Sequence, residues 1–239
     1  MELILPCLFS ELESDALRNI LEKINNINFL QHIIIGLDKA NKNEFEFAKK
    51  YFSILKTSHS ILWNDGPRLQ KLQNELNEAE LARVEGGKGK NVWYCIGYAI
   101  ARNSAEAVAF HDCDIKTYDE NILIKLFYPL LNDSMGYSFS KGYYPRYADN
   151  KFNGRVTRLL VTPLIKSLIK LFGNNDYLEF IDSFRYPLAG EYALKKNLLR
   201  DLRIPSDWGL EIGILSELQR NYSSKLCCQV DLADHYDHK

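Results

Sequence analysis

No stretch of this chain approaches eighteen consecutive apolar residues, so no membrane-spanning helix is expected. An excess of charge of either sign is also missing: thirty Lys and Arg face thirty-one Asp and Glu, a net charge of −1. That balance argues against a general affinity for nucleic acid or for an anionic membrane surface. Cys-x-x-Cys spacing is absent, and the cysteines (Cys7, Cys95, Cys113, Cys227 and Cys228) are odd in number. They read as reduced thiols of a cytoplasmic protein, not as a disulfide frame or a zinc site. The N-terminus, MELILPCLFSELES, has neither a basic leader nor a long apolar core, so no signal peptide is expected. Internal repeats, low-complexity tracts and linkers are not found. What remains, 239 residues of which 46% are hydrophobic and 26% charged, describes a globular chain with a core of ordinary size.

Apolar runs and amphipathic segments alternate through the first two-thirds. LILPCL, FLQHIIIGLD, HSILWND, AVAFHD and MGYSFSKGYY read as strands. Between them, Leu17, Ile20, Leu21 and Ile24 recur at helical spacing, and EFEFAKKYFSIL and ENILIKLFYPLL read as helices. Thr117 followed by Glu120 has the form of a capping box ahead of the second of these. Such alternation predicts right-handed βαβ units and a mostly parallel sheet covered on both faces. From about Asn153 the pattern becomes mainly helical and closes on a strand-like run, SKLCCQVDL. The expectation is one α/β domain over 1–239, with a helical C-terminal elaboration.

In such sheets ligands bind beyond the carboxyl ends of the strands. Here the strands finish near Pro6 and Leu8, at Asp38, at Asn64-Asp65, and at Asp112 and Asp114. A carboxylate is costly to bury without a positive partner, so Asp112 and Asp114 are expected at the exit of their strand. An Asp-x-Asp pair there offers hard oxygen ligands to Mg²⁺ or Mn²⁺, although solvated loop acids have the same sequence. EGGKGKN is neither a P-loop, since Ala82 stands where its first Gly belongs, nor a dinucleotide fingerprint. It reads as a glycine turn carrying Lys88 and Lys90 to a helix start, a place suited to an anion. FNGRVTRLL puts Arg155, Thr157 and Arg158 at another helix start, and PSDWGLEIG does the same for Asp207, Trp208 and Glu211. His235 and His238 follow the last apolar run. Either would complete an Asp/His metal site if that strand returns beside Asp114.

Taken together, ILPCL, GGKGKNVW, FHDCD, NGRVTRLL, YPLAGEYAL, DWGLEIGIL and DLADHYDHK resemble, in order and over nearly the whole chain, the glucosyl-3-phosphoglycerate synthases. These are retaining GT-A glycosyltransferases, with mannosylglycerate synthases as more distant relatives. The resemblance implies a GT-A, Rossmann-like fold, with 1–150 as the nucleotide-sugar part and 151–239 as the acceptor part. It also implies metal-dependent hexose transfer, with retention, from a nucleoside-diphosphate sugar to the 2-hydroxyl of 3-phosphoglycerate. The product would be a precursor of the compatible solute glucosylglycerate. Carried over by motif, Pro6, Leu8, Glu11, Asp38, Asp65, Lys88, Asp112 and Glu191 face the donor. Asp114 and His238 hold the divalent metal (Mg²⁺ or Mn²⁺). Gly154, Arg155, Val156 and Thr157 hold the acceptor, and Glu211, with Asp114 and Lys88, is placed in catalysis. Family members continue beyond the position matching Lys239, so a C-terminal extension is expected to be lacking. A homodimer is left open.

Three readings stay in play. One is glucosyl or mannosyl transfer to phosphoglycerate or glycerate. Another is nucleotidyl transfer, which also uses strand-terminal acids but calls for a Gly-x-Gly-Thr-Arg-like loop that PCLFSELES lacks. The third is a sugar-nucleotide binding module without catalysis.

Overall fold

A computed structural model describes residues 1–81, 86–145, 147–148, 151–152 and 154–237, the short strands at 147–148 and 151–152 by their backbone only. The first half alternates as expected: β1 (Glu2–Leu8), α1 (Asp15–Ile24), β2 (His32–Asp38), α2 (Lys42–Phe52), β3 (His59–Trp63), α3 (Pro67–Glu78), α4 (Lys88–Arg102), β4 (Ala107–Phe110) and α5 (Asn121–Leu131). Then come β5 (Phe139–Tyr143), a small hairpin of β6 (Tyr147–Ala148) and β7 (Lys151–Phe152), α6 (Thr162–Phe172), α7 (Asp176–Asp182), β8 (Tyr192–Lys195), α8 (Lys196–Leu199), α9 (Leu210–Asn221) and β9 (Cys227–Asp231).

Seven strands form one sheet in the order β3-β2-β1-β4-β8-β5-β9. The first four in that order pair in parallel, and so do β5 and β9; β8 runs antiparallel between β4 and β5. Side chains of a strand alternate between faces, and β1 divides accordingly. Leu3, Leu5 and Cys7 join a core with α1, α2 and α5 on one face. Ile4, with Ile34, Val108 and Phe110, joins the other core, built by α4, α6, α7 and α9. Helix α4 lies close on β2: the Asn91 amide donates to Gly36 O at 2.7 Å, and a Cβ at Gly36 would come within 1.7 Å of Asn91 Oδ1. Only glycine permits that approach.

Two expectations are corrected. The capping box at Thr117 does not form: α5 starts at Asn121, whose N–H is met by Asp119 Oδ1 at 2.8 Å. Thr117 Oγ1 instead accepts from Asp237 N at 3.0 Å, tying down the C-terminal segment. The mostly helical reading after Asn153 also misses β8, a strand in the middle of the sheet. The five cysteines are free. Among the described residues no helix is long and apolar enough to cross a membrane.

Candidate active site

The carboxyl ends of β1, β2 and β4 open on one side of the sheet, where the N-termini of α4 and α9 converge. A cavity of about 580 Å³ lies there. Pro6, Leu8 and Glu11 form one wall, Asp38 and Lys39 another; Asp112 and Asp114 come from the exit of β4, Gly86 to Lys88 from the glycine loop, and Asp207 to Glu211 from the start of α9. Its centre is an ion-pair bridge. Lys88 Nζ stands 2.5 Å from Asp112 Oδ1 and 2.9 Å from Glu211 Oε1. Burial works against the ammonium, but the two carboxylates outweigh it and hold the Lys88 pKa well above the ordinary lysine value. Lys88 is therefore a permanent cation at neutral pH.

The glycine loop is fastened to the segment before α9. Ser206 O accepts from Gly87 N at 2.8 Å and Lys90 N at 2.7 Å, and a Cβ at Gly89 would come within 1.8 Å of Pro205 O. These bonds use amides expected to cradle an anion, so Lys88 is the loop's main contribution. Trp208, between Asp207 and a Gly209 of φ +93°, is 96% exposed at the cavity rim.

Beneath the cavity the sheet holds a polar layer. His111 is fully buried, with Nδ1 3.2 Å from Asp112 O and Nε2 3.0 Å from the Tyr118 hydroxyl. Burial drives its pKa down to about 4, against the pull of the Asp112 carbonyl and carboxylate. Glu191 is also fully buried; its Oε2 accepts from the Tyr144 hydroxyl at 2.8 Å. Lys141 is 2% exposed and donates to Ala189 O at 2.6 Å. Burial lowers the Lys141 pKa to about 8, with Glu211 and Glu191 opposing.

Of the residues singled out in the sequence, Pro6, Leu8, Glu11, Asp38, Lys88, Asp112, Asp114 and Glu211 line this one cavity. Asp65 is not among them: its Oδ2 accepts from Ala40 N at 3.0 Å and ties the turn after β3 to the loop after β2. Glu191 sits in the layer below, outside the lining. Gly154 and Thr157 line a second hollow of about 280 Å³ with Arg158, Arg185, Tyr144 and Tyr186. Arg155 and Val156 are exposed and are not among its lining residues; Arg158 and Arg185 supply its guanidinium groups. His238 lies outside the described residues, and His235 is exposed. The tail does return toward Asp114: Lys116 N donates to Asp237 O at 2.9 Å, and Tyr236 stacks on Tyr144 with centroids 3.6 Å apart.

The donor set suits a hard cation. Asp112 and Asp114 present carboxylate oxygens to the cavity. The neighbouring Cys113 thiol is pushed well up in pKa by its contact with Cys7, by burial and by the adjacent acids, so it remains a neutral thiol. Among the described residues no group of three His, Cys, Asp or Glu closes on a metal position. A few protein oxygens, with the remaining positions left to phosphate and water, is the manner in which Mg²⁺ and its analogues bind.

Sequence reasoning missed Asn91, Lys39 and Lys141. Asn91 and Lys39 carry no motif signal. Lys141 leaves one trace, a charged residue inside an alternating strand, FSKGY.

No family model matches the chain. A glucosyl-3-phosphoglycerate synthase of Persephonella marina is 43% identical over 239 residues, covering 100% of this chain and 59% of the relative. One of Methanococcoides burtonii is 38% identical over 240 residues, covering 99% and 58%. The chain thus spans about three-fifths of the length of the curated relatives it matches. Among solved structures, the glucosyl-3-phosphoglycerate synthase of Mycobacterium tuberculosis in complex with Mn²⁺, UDP-glucose and phosphoglyceric acid superposes with a TM-score of 0.71. It shares 22% identity, covering 100% of this chain and 71% of that one. At that identity the likeness speaks for the fold, which is GT-A. With 43% and 38% identity to two such synthases over nearly its whole length, and the same fold, this chain belongs to the glucosyl-3-phosphoglycerate synthase family.

Proposed function

We propose that the chain carries a retaining hexosyl transfer, moving glucose from a nucleoside-diphosphate donor to the 2-hydroxyl of 3-phosphoglycerate. The observation that carries this reading is the Asp112–Lys88–Glu211 bridge, set beside Asp114 in one cavity at the carboxyl edge of the sheet. Residues 1–150 supply the donor half, with the nucleotide along Pro6, Leu8 and Glu11. The later segment supplies the acceptor half, with the acceptor's anionic groups in the hollow lined by Thr157, Arg158 and Arg185. The choice of donor and acceptor is supported by the relative of Mycobacterium tuberculosis, whose structure holds UDP-glucose and phosphoglyceric acid.

Lys88 presents a fixed ammonium to the negative charge that grows on the departing diphosphate. In many enzymes such preorganised charge supplies the greater part of the rate enhancement. Glu211 faces the hexose, whose transition state has oxocarbenium character. Asp112, gripped by Lys88, orients the donor's hydroxyls. Asp114 would hold a divalent cation, with His238 as its second protein ligand; when bound, that cation supplies Lewis-acid stabilisation of the diphosphate. The arginines orient the acceptor so that its 2-hydroxyl meets the anomeric carbon, and a donor phosphate oxygen accepts the released proton.

The test is incubation of the purified chain with UDP-glucose, 3-phosphoglycerate and Mn²⁺, followed by detection of UDP and of the glucosylated product by NMR. The anomeric configuration should match that of the donor. Release of pyrophosphate in place of UDP would point to nucleotidyl transfer. Donor binding without turnover would reduce the chain to a binding module.

A further inference from the structure

We propose that Lys141 is a positioning residue: its buried ammonium fixes the 189–191 turn against the back of Asp112, and so sets the bridge that meets the donor. The proposal rests on the donor reading above. Lys141 lies on β5, in register with Tyr192, the first residue of β8, and its Nζ stands 5.2 Å from the Tyr192 ring centroid. Tyr192 is in turn paired with Phe110, the last residue of β4. The turn that enters β8 and the chain that leaves β4 toward Asp112 are therefore side by side.

Two contacts clamp this turn to β5: Lys141 Nζ donates to Ala189 O at 2.6 Å, and Gly142 N donates to Glu191 O at 2.8 Å. Between the two clamped residues sits Gly190. A Cβ there would come within 2.5 Å of Asp112 Oδ2. The turn thus lies close against one oxygen of the carboxylate whose other oxygen holds Lys88 at 2.5 Å, with no room for a side chain between them. A shift of Ala189 is transmitted through Gly190 to Asp112, and through Lys88 to Glu211.

Packing alone would not select a lysine here. Burying an ammonium is expensive, and an apolar side chain of similar length would fill the same space. What the ammonium adds is a directed, charge-assisted bond to one carbonyl.

The experiment is a double-mutant cycle of Lys141→Met and Asp112→Asn, read by calorimetric titration with UDP-glucose in Mn²⁺, with kcat/KM measured alongside. Circular dichroism confirms the fold. Lys141→Met should raise the donor Kd about 10-fold and lower kcat/KM by about 10- to 100-fold, the range seen when a supporting partner of a site ligand is lost. In the Asp112→Asn background the same change should be less than about threefold, because the two residues act as one unit. Wild-type values in Lys141→Met, or an equal loss in both backgrounds, would overturn the proposal. If the methionine variant does not fold, Lys141→Gln goes through the same cycle, and the same two results decide for or against the proposal. A wild-type chain that binds UDP-glucose without transferring the hexose counts against the function proposed above, and the binding cycle still decides the role of Lys141.

Discussion

Acid should destabilise this protein well before its carboxylates titrate, because of His111. In the unfolded chain its pKa is 6.5; in the fold, burial brings it to about 4. Between these values the unfolded state binds the proton and the folded state does not, so stability is complete above pH 6.5 and falls as the pH drops toward 4. The full shift corresponds to about 3 kcal/mol. Going from pH 7 to pH 5 uncovers about 2 kcal/mol of it, which lowers the melting temperature by about 4–8 °C for a chain of this size. The buried His32 is also shifted downward by burial and adds to the same trend, so the test needs a comparison. Urea unfolding of the wild type and of His111→Phe at pH 7 and pH 5 isolates the His111 part. The phenylalanine keeps an aromatic ring and removes both His111 contacts, to the Tyr118 hydroxyl and to Asp112 O, a loss equal at both pH values. The wild type should therefore lose about 2 kcal/mol more than the variant between the two. An identical loss in both would refute the buried, neutral imidazole.

Lys88→Met should lower kcat/KM by about 100-fold or more, as for loss of one preorganised charge at a transition state; an activity within threefold of wild type would remove the bridge from the mechanism. Asp114→Ala should abolish the Mn²⁺ dependence of UDP-glucose binding, followed by calorimetry with and without EDTA, and leave the far-UV spectrum unchanged. Gly89→Ala, whose Cβ meets Pro205 O, should part the glycine loop from the 205–209 segment and destabilise the fold by about 1–3 kcal/mol, read as a lower melting temperature. Arg158→Ala should raise the KM for 3-phosphoglycerate by about 10-fold and exceed the effect of Arg155→Ala, since Arg158 lines the acceptor hollow and Arg155 does not. The reverse order would show that the hollow rearranges around its ligand.

The donor half of the fold was legible because its signals are local. Leu3, Leu5 and Cys7 against Ile4 announce a strand buried on both faces, and acids at strand ends announce the ligand edge. Strand β8 was not legible. EYALK is short and contains good helix formers, and it becomes a strand because β4 and β5 offer it hydrogen bonds on both sides. The same insertion hid the layer below the site. In an isolated hairpin Lys141 would face water; with β8 on one side and β9 on the other, its side chain turns into the molecule. Lys88, Asp112 and Glu211 each lay in a recognisable motif, yet their junction did not, since the contact between Lys88 and Glu211 spans 123 positions. Because β8 runs antiparallel to β4, it enters the sheet at the edge where the parallel strands end, and this brings the turn at Gly190 to Asp112 from behind. The chain leaves β8 at the opposite edge, beside Glu106, and the segment before α9 returns to the site to lock the glycine loop through Ser206.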